Sequence, residues 1–325
     1  MIALLAVCYQ LAAGQADYDG KTLILTGQFE ITHPMGRLSA DKATLTNPQL
    51  HRPAKKSTQL YLENNVAIHV SEGKNPFSIF AKRALCNLLP NTIFSLFQFQ
   101  EIQFFDQVEI RTLNDLVARG GSALYKLGAL ILFPTLPTSH CQLLRGTDRI
   151  DAREIRFDLP TETLACDAPQ GSLQQDNYRF SASQLVWRKK ERTLQLQKNV
   201  QLTQPGVFTL EGEEGLITCR EEFEPETLLL QGSVRLIAAQ IQEKESYAAA
   251  DTLLYRPLEK TLVLSARAPR KVLFWQDGLS LSASEIQIRQ DASTHKETIE
   301  GIGDVHFAFD IDEQNYFEKL FSNYL

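Results

Sequence analysis

The sequence lacks the short motifs that mark the common catalytic and nucleotide-binding sites. It has no G-x-x-x-x-G-K-[S/T] loop, no strand-linked G-x-G-x-x-G, no H-E-x-x-H and no G-x-S-x-G. Acidic runs such as Glu211, Glu213 and Glu214 are typical of solvated turns rather than of a general acid and base pair. The six histidines follow no spacing that would converge on a metal ion, and they are His33, His51, His69, His140, His295 and His306. We therefore predict no catalytic residue, no metal site and no cofactor, and we expect a protein that is not an enzyme.

The chain also lacks a basic surface and a long apolar run. Its formal net charge is −6, whereas a nucleic-acid surface needs clustered Lys and Arg. The longest apolar run, residues 2–13, is shorter than the roughly 20 residues that span a bilayer. Gly14, Gln15 and Ala16 follow it, and an apolar run with a small-residue cleavage site after Ala16 is typical of a secretory signal segment over residues 1–16. No basic residue precedes the run, and a start site further upstream would explain that.

Cysteines are few. Once residues 1–16 are set aside, Cys86, Cys141, Cys166 and Cys219 remain, and no two of them have zinc-finger spacing. Their even number is compatible with disulfides in an oxidising compartment, and three pairings are possible. Half-buried thiols that form no disulfide are the alternative.

What the chain does contain is an internal repeat. TLILTGQFEI at residues 22–31 and TLLLQGSVRL at residues 227–236 share the pattern L-x-L-x-G-x-V-x-I, which places the apolar side chains on one face of a strand. If the central Gly is relaxed to Asn, Asp, Lys or Ala, copies begin at residues 23, 60, 102, 130, 164, 194, 228, 262 and 299, the copies at 130 and 164 being poor. This periodicity predicts about nine repeats.

A second pattern follows most copies: an apolar residue, a small residue two places on, and an apolar or small residue three places later. Clear examples are Leu38, Ala40, Ala43 and Ile79, Ala81, Ala84. A step of two followed by a step of three predicts a β-bulge, so each repeat is expected to be a strand, a turn and a bulged return strand. The repeated small residues have two interpretations, close approach of two sheets or a trough widened for a ligand.

The repeats and their interruptions divide the chain. After the signal segment at 1–16, we predict amino-terminal β repeats at 17–113, an irregular boundary at 114–146 and carboxyl-terminal β repeats at 147–310. Residues 311–325 are expected to form a short amphipathic helix. Its apolar positions recur at helical spacing and are Tyr316, Phe317, Leu320, Phe321 and Tyr324.

The combined order A-x-x-L-x-Y, L-x-L-x-G-x-V-x-L and L-x-A-x-x-I resembles the OstA-like, or LptA-like, family of periplasmic lipopolysaccharide-transport proteins. The clearest stretches are AAADTLLYRPLEKTLVLSARAPRKVLFWQDGLSLSASEIQIRQ at residues 248–290 and THKETIEGIGDVHFAF at 294–309. ADYDGKTLILTGQFEITHPMGRLSADKATL at residues 16–45 is nearly as close. The resemblance spans most of the chain and is weakest between Asn114 and Gly146.

The resemblance implies an all-β fold, an elongated and twisted β-jellyroll in which two facing antiparallel sheets form an open trough. It also implies export to the periplasm of a Gram-negative envelope. The family's usual domain is shorter than this chain, so we expect a longer rod or two fused modules.

By the same resemblance, the function would be to shield the acyl chains of lipopolysaccharide, the lipid A part, during transport to the outer membrane. Exposed strand edges would pair with other lipopolysaccharide-transport proteins. The apolar lining would comprise Leu25, Phe29, Ile31, Leu62, Val66, Phe104, Val108, Leu196, Val200, Leu230, Val234, Leu264, Val305 and Phe307. Two alternatives remain open, a structural or adhesive β-solenoid with a dry core and a carbohydrate-active β-helix enzyme.

Overall fold

The computed structural model describes residues 10–33, 36–46, 58–71, 76–88, 99–112, 115–173, 177–220, 225–238, 246–276, 278–290 and 297–309. Within these ranges the regular structure is entirely β-strand, as predicted. The predicted helical tail and residues 1–9 of the predicted signal segment lie outside the described residues. The chain divides into two compact units between Thr161 and Glu162, called unit 1 and unit 2 below.

Unit 1 contains twelve strands, most of which pair with an antiparallel neighbour in sequence. They are β1 (Gln10–Ala12), β2 (Gln15–Tyr18), β3 (Thr22–His33), β4 (Gly36–Thr46), β5 (Thr58–Val70), β6 (Phe77–Leu88), β7 (Phe99–Thr112), β8 (Val117–Lys126), β9 (Ala129–Phe133), β10 (Cys141–Arg145), β11 (Asp148–Ala152) and β12 (Glu154–Asp158).

Unit 2 contains fourteen strands and is also antiparallel throughout its described pairings. They are β13 (Thr163–Asp167), β14 (Gln170–Leu173), β15 (Tyr178–Ser181), β16 (Gln184–Arg188), β17 (Thr193–Gln204), β18 (Phe208–Cys219), β19 (Pro225–Ala238), β20 (Ser246–Arg256), β21 (Thr261–Ser265), β22 (Val272–Gln276), β23 (Leu279–Ala283), β24 (Glu285–Gln290), β25 (Glu297–Ile302) and β26 (His306–Phe309).

The repeated sequence pattern marks a bend in the strands. Two consecutive residues with positive φ occupy the central Gly position and the position after it in six copies. The left-handed region tolerates Gly, Asn and Asp best, which explains the residue at the central position in five of the six copies, and Lys198 occupies it in the sixth. We call each such pair a corner, and the six are Gly27–Gln28, Asn64–Asn65, Asp106–Gln107, Lys198–Asn199, Gly232–Ser233 and Gly303–Asp304.

The predicted bulge is present at these corners, but the extra residue lies on the first strand of each pair and not on the return strand. Thr26 pairs with Lys42 and Phe29 with Ala40, so two residues of β3 stand opposite one residue of β4. The same register shift occurs between β5 and β6, β7 and β8, β17 and β18, and β19 and β20. At the corner the return strand has one residue fewer than the first strand. Its inward positions are therefore three residues apart there, which is the step of three in the sequence pattern.

At the corners each long strand passes from one layer to a second layer that faces the first. In unit 2, Gly212 of β18 lies beside Val234 of β19. Val234 is four residues beyond Leu230 on the same strand. Four residues of straight strand span about 13 Å. A Cβ atom on Gly212 would nevertheless lie 2.7 Å from Leu230 Cγ. The two halves of the strands are therefore packed face to face, and the predicted β-jellyroll layering is confirmed.

Some strands are interrupted at the corner by a loop. In unit 1 the loop 134–140 separates β9 from β10, and both strands pair with β8. In unit 2 the loop 266–271 separates β21 from β22, and both pair with β20. The first interruption explains why the copy starting at 130 is poor, and the second explains why the copy starting at 262 has no match beyond Ala266.

Residues 117–145, inside the stretch for which the sequence predicts an irregular boundary, contain β8, β9 and β10. Residues 10–18, at the junction of the predicted signal segment and the first repeats, contain β1 and β2, and both strands pair with β3. The division of the repeats into 17–113 and 147–310 stays a prediction.

Candidate functional site

The candidate site is the apolar interior between the two layers of each unit. It is made of inner rows, meaning sets of inward-facing residues that are cross-strand partners on successive strands. In unit 1 the row beside the corners alternates large and small side chains from Leu25 to Leu132, because the first strands supply Leu or Phe and the return strands supply Ala, and it ends at Ile155. Its members are Leu25, Ala43, Leu62, Ala84, Phe104, Ala123, Leu132 and Ile155, and all are buried.

Two further inner rows of unit 1 contain no charged residue. In the same layer as Leu25, the row nearer the strand ends is Leu23, Leu45, Leu60, Cys86, Ile102, Tyr125, Leu130 and Phe157. In the facing layer, a row runs through Ile31, Leu38, Ile68, Ile79, Ile110, Ala118, Leu143 and Ile150.

Unit 2 is built in the same way. One layer has the row Cys166, Leu185, Leu196, Gly215, Leu230, Leu253, Leu264, Ile286 and Gly301. The facing layer has the row Phe180, Leu202, Leu210, Leu236, Ala248, Phe274, Leu281 and Phe307. Each unit therefore encloses a hydrocarbon surface that is continuous from strand to strand.

Of the fourteen predicted lining residues, the first twelve are at most 5% exposed, and each lies at an inward position. The structure places seven of these twelve in the interior of unit 1 and five in the interior of unit 2. Val305 is half-buried and Phe307 is 59% exposed. Phe307 is on β26, for which the described residues give one strand partner, β23.

The interior is closed at the twelve buried residues. An exposed fraction near zero means that no water-sized space adjoins the side chain, whether at the surface or in a cavity. Two glycines at inward positions are covered by leucines of the facing layer. A Cβ on Gly120 would lie 2.7 Å from Leu132 Cγ, and a Cβ on Gly212 would lie 2.7 Å from Leu230 Cγ. Of the two interpretations of the small residues, the structure favours close approach of the sheets.

Buried polar groups are few and are concentrated in unit 2. Among the described residues they are Ser246 and Asp251. Asp251 lies at the corner level of β20, where its carboxylate accepts the Arg267 backbone N–H at 2.7 Å and pairs with the Arg270 guanidinium at 2.8 Å. Both partners belong to the loop 266–271, so the charge of Asp251 is compensated from the corner side and the inner rows stay apolar.

No disulfide joins the four described cysteines. Cys86, Cys141 and Cys166 are buried, and Cys219 is half-buried. Burial raises the pKa of the Cys86 thiol, and burial together with the charge of Glu154 raises the pKa of Cys141 to about 12. These thiols are therefore protonated at neutral pH and contribute to the interior as small apolar groups.

Apart from Asp251, no charged residue among those that the structure describes is buried. Glu109, for example, pairs with Arg111 and Arg119 on the outside of unit 1. Burial alone would raise the pKa of Glu109, but the hydrogen bonds from the two arginines outweigh it and lower that pKa. In the part of the chain that the structure describes, no group of three or more His, Cys, Asp or Glu residues is placed to hold a metal ion. The same part has no helix able to cross a bilayer.

Several interior residues were missed from the sequence. The inward alanines of the return strands belong to the same rows as the predicted residues, and the step of two and three marks them. Phe208 and Tyr255 in unit 2 contact each other across the interior, with ring centroids 6.4 Å apart. No short-range pattern indicates that contact, because the two residues are on β18 and β20.

No protein-family model matches the chain, and no curated protein matches it. Among solved structures, the chain is similar to LptH from Pseudomonas aeruginosa, described as the LptA-homologous periplasmic component of a lipopolysaccharide-transport device. The identity is 14%, the TM-score is 0.36, and the match covers 41% of this chain and 95% of that one.

Proposed function

We propose that this chain is a non-enzymatic periplasmic protein that shields the acyl chains of lipopolysaccharide between two membranes. The observation that carries the proposal is the set of inner rows, which are free of charged residues on every strand that they cross. The order of the sequence patterns, which resembles the OstA-like family over most of the chain, adds support.

The hydrophobic effect would make the inner rows a favourable surface for an acyl chain. Each methylene that leaves water for an apolar surface contributes about 0.8 kcal/mol, so a chain of ten methylenes contributes about 8 kcal/mol. Because the rows are similar from strand to strand, an acyl chain would meet no polar barrier as it moves along them. Since the interior is closed, the two layers must separate, and the acyl chain then replaces contacts such as Leu230 with Gly212 by contacts of the same kind.

The proposed protein partners are inferred from the strand edges and from the lack of a nucleotide-binding motif in the sequence. β25 and β26 have one described strand partner each, β24 and β23, while β1 and β2 both pair with β3. An exposed edge binds a strand of another protein by main-chain hydrogen bonds. Other lipopolysaccharide-transport proteins would dock there, and the energy for directional transport would come from one of them.

A photo-crosslinking experiment tests the lipid site. A small diazirine-bearing aliphatic amino acid, chosen because the interior is tightly packed, is placed at Phe29 or Val234, both 1% exposed. The matched controls are Glu30 and Arg235, the next residues on the same strands, which face outward. We expect lipopolysaccharide to label the inner positions and to spare the outer ones. Equal labelling at both positions would count against the interior as the site.

A disulfide clamp tests whether the layers must separate. The 2.7 Å between a Cβ on residue 212 and Cγ of Leu230 is close to the Cβ-to-sulfur distance across a disulfide, so the pair Gly212→Cys and Leu230→Cys can bridge the layers. Gly215→Cys with Leu230→Cys is the control, because those residues are partners within one layer. In a Cys219→Ser background, we expect oxidation to block lipid labelling in the first variant alone.

The closed interior also favours a second candidate, a structural β-protein with a dry core. It predicts no lipid labelling at Phe29 or Val234 under any condition and no effect of the clamp. Labelling that the clamp abolishes would exclude it.

A further inference from the structure

The edge of unit 2 that lies opposite the corners, called the rim here, is closed by an aromatic contact. Tyr255 is near the end of β20 and Phe208 begins β18. Their rings meet edge to face, with centroids 6.4 Å apart and an interplanar angle of 71°. Tyr255 lies two residues after Leu253 on β20, and Phe208 lies two residues before Leu210 on β18. Because Leu253 and Leu210 are buried and side chains alternate along a strand, Tyr255 and Phe208 also face the interior.

Strand pairing shows that this contact joins the two layers. Tyr255 is the cross-strand partner of Leu228, whereas Phe208 is the partner of Ala238, and both partners are on β19. The ten residues from Leu228 to Ala238 would span about 33 Å in a straight strand. Rings only 6.4 Å apart therefore lie on opposite halves of the folded strands, at the ends farthest from the corner.

The rim differs chemically from the rest of the interior because it contains phenol groups. Tyr178 begins β15, in the same layer as Phe208: Arg179 is the partner of Thr203 on β17, and the next residue of β17, Gln204, is the partner of Phe208. Burial raises the pKa of Tyr255. Tyr255 thus keeps its proton at neutral pH and can donate a hydrogen bond. Towards the corner, the rows beside Tyr255 and Phe208 continue as Leu253, Leu210 and Leu236, which offer only hydrocarbon.

We propose that the rim at Phe208, Tyr255 and Tyr178 is the entry site of unit 2 for an acylated amphiphile. The acyl chain passes between Phe208 and Tyr255 into the inner rows, and the phenol hydroxyls bind the ester or amide carbonyl that links the chain to its headgroup. This inference rests on the proposed lipid-shielding function and adds where the ligand's polar linkage is held.

Two physical arguments support the assignment. An edge-to-face ring pair contributes about 0.5–1.5 kcal/mol beyond its buried area, and an entering acyl chain would cover the area of the two rings again. The rim can therefore open at a smaller cost than the corners, where covalent strands join the layers. A ring with a polar tip suits a boundary between hydrocarbon and water, because the ring packs on the chain while the hydroxyl meets the polar group.

The test compares two probes that differ at one linkage, N-dodecanoyl glucosamine with an amide carbonyl and dodecyl glucoside with an ether oxygen. Binding to the full chain is followed by tryptophan fluorescence, since Trp187 lies in an inner row of unit 2 beside Leu194. Tyr255→Phe and Tyr178→Phe keep the rings and remove one hydroxyl each. We expect either change to weaken the amide probe by about five- to tenfold, as for one lost hydrogen bond, and the ether probe by less than twofold.

Phe208→Ala removes the ring contact, and we expect both probes to enter several-fold faster. Tyr247→Phe is the control, because Tyr247 pairs with Trp275 on the outer face and should change neither probe. If the wild-type chain binds both probes and Tyr255→Phe weakens them equally or not at all, the entry site is wrong while the lipid function stands. If the wild-type chain binds neither probe, the proposed function itself fails.

Discussion

Replacing Gly212 by Ala should destabilise unit 2, because the added methyl group would enter space that Leu230 occupies. The Cβ atom would lie 2.7 Å from Leu230 Cγ and 3.1 Å from both Cδ atoms, and Leu230 is fully buried. Such overpacking costs about 1–3 kcal/mol. Gly215→Ala is the matched control on the same strand, since its Cβ would make ordinary contacts at 3.5–3.6 Å. That change should be neutral or stabilise by about 0.4–1 kcal/mol, because Ala restricts the unfolded chain.

Urea unfolding followed by tryptophan fluorescence measures both variants, and the two tryptophans, Trp187 and Trp275, are in unit 2. Leu230→Ala alone should cost about 2–5 kcal/mol. The double variant with Gly212→Ala should be more stable than the sum of the single changes implies, by about 1 kcal/mol or more, because the new methyl group fills part of the space left by Leu230. A Gly212→Ala protein as stable as Gly215→Ala would show that the layers are not in contact there, and it would refute the closed interior.

Three further predictions follow from the corners, the thiols and the loop 266–271. Asn64→Val should destabilise unit 1 by about 1–2 kcal/mol, because Asn64 has a positive φ of 60°, while Asn64→Gly should change the stability by less than about 0.5 kcal/mol, both measured by circular dichroism. At pH 8 a maleimide should modify Cys219 slowly and leave Cys141 unmodified in the folded protein, because a pKa of about 12 for Cys141 leaves roughly one thiolate in ten thousand. Mass spectrometry of peptides measures the modification, and fast labelling of Cys141 would mean that the interior opens readily. Asp251→Ala should cost about 1–3 kcal/mol in urea unfolding because the Arg267 N–H and Arg270 lose their acceptor, whereas Arg270→Ala, whose side chain is 53% exposed, should cost less than about 1 kcal/mol.

The strands and their inward faces could be predicted from the sequence because alternation is a local property of the chain. Leu25, Leu62 and Phe104 were identified in this way, and they prove to share one row. The residue types at the corners were also visible as a Gly position that tolerates Asn and Asp. Their left-handed backbone, however, became clear only with the φ angles.

Contacts across the interior could not be predicted, because they depend on how sharply each corner bends. Nothing local to Gly212 indicates that Leu230 covers it, or that Phe208 meets Tyr255. Phe307 shows the converse: its sequence pattern is that of a buried position, yet it lies on a strand with one described neighbour and is largely exposed. Burial in a repeat depends on the neighbouring copies, and a pattern inside one copy carries no information about them.

The corners have a consequence for how such a chain changes its length during evolution. Each corner is formed by two adjacent residues, and each first strand meets the return strands on either side of it with the same two-against-one stagger. Removing β5 and β6 would bring β4 against β7, and Ala43 would then meet Phe104 as it now meets Leu62. Genetic gain or loss of a whole hairpin can therefore occur without redesign of the copies on either side, so a unit can lengthen or shorten in steps of one hairpin.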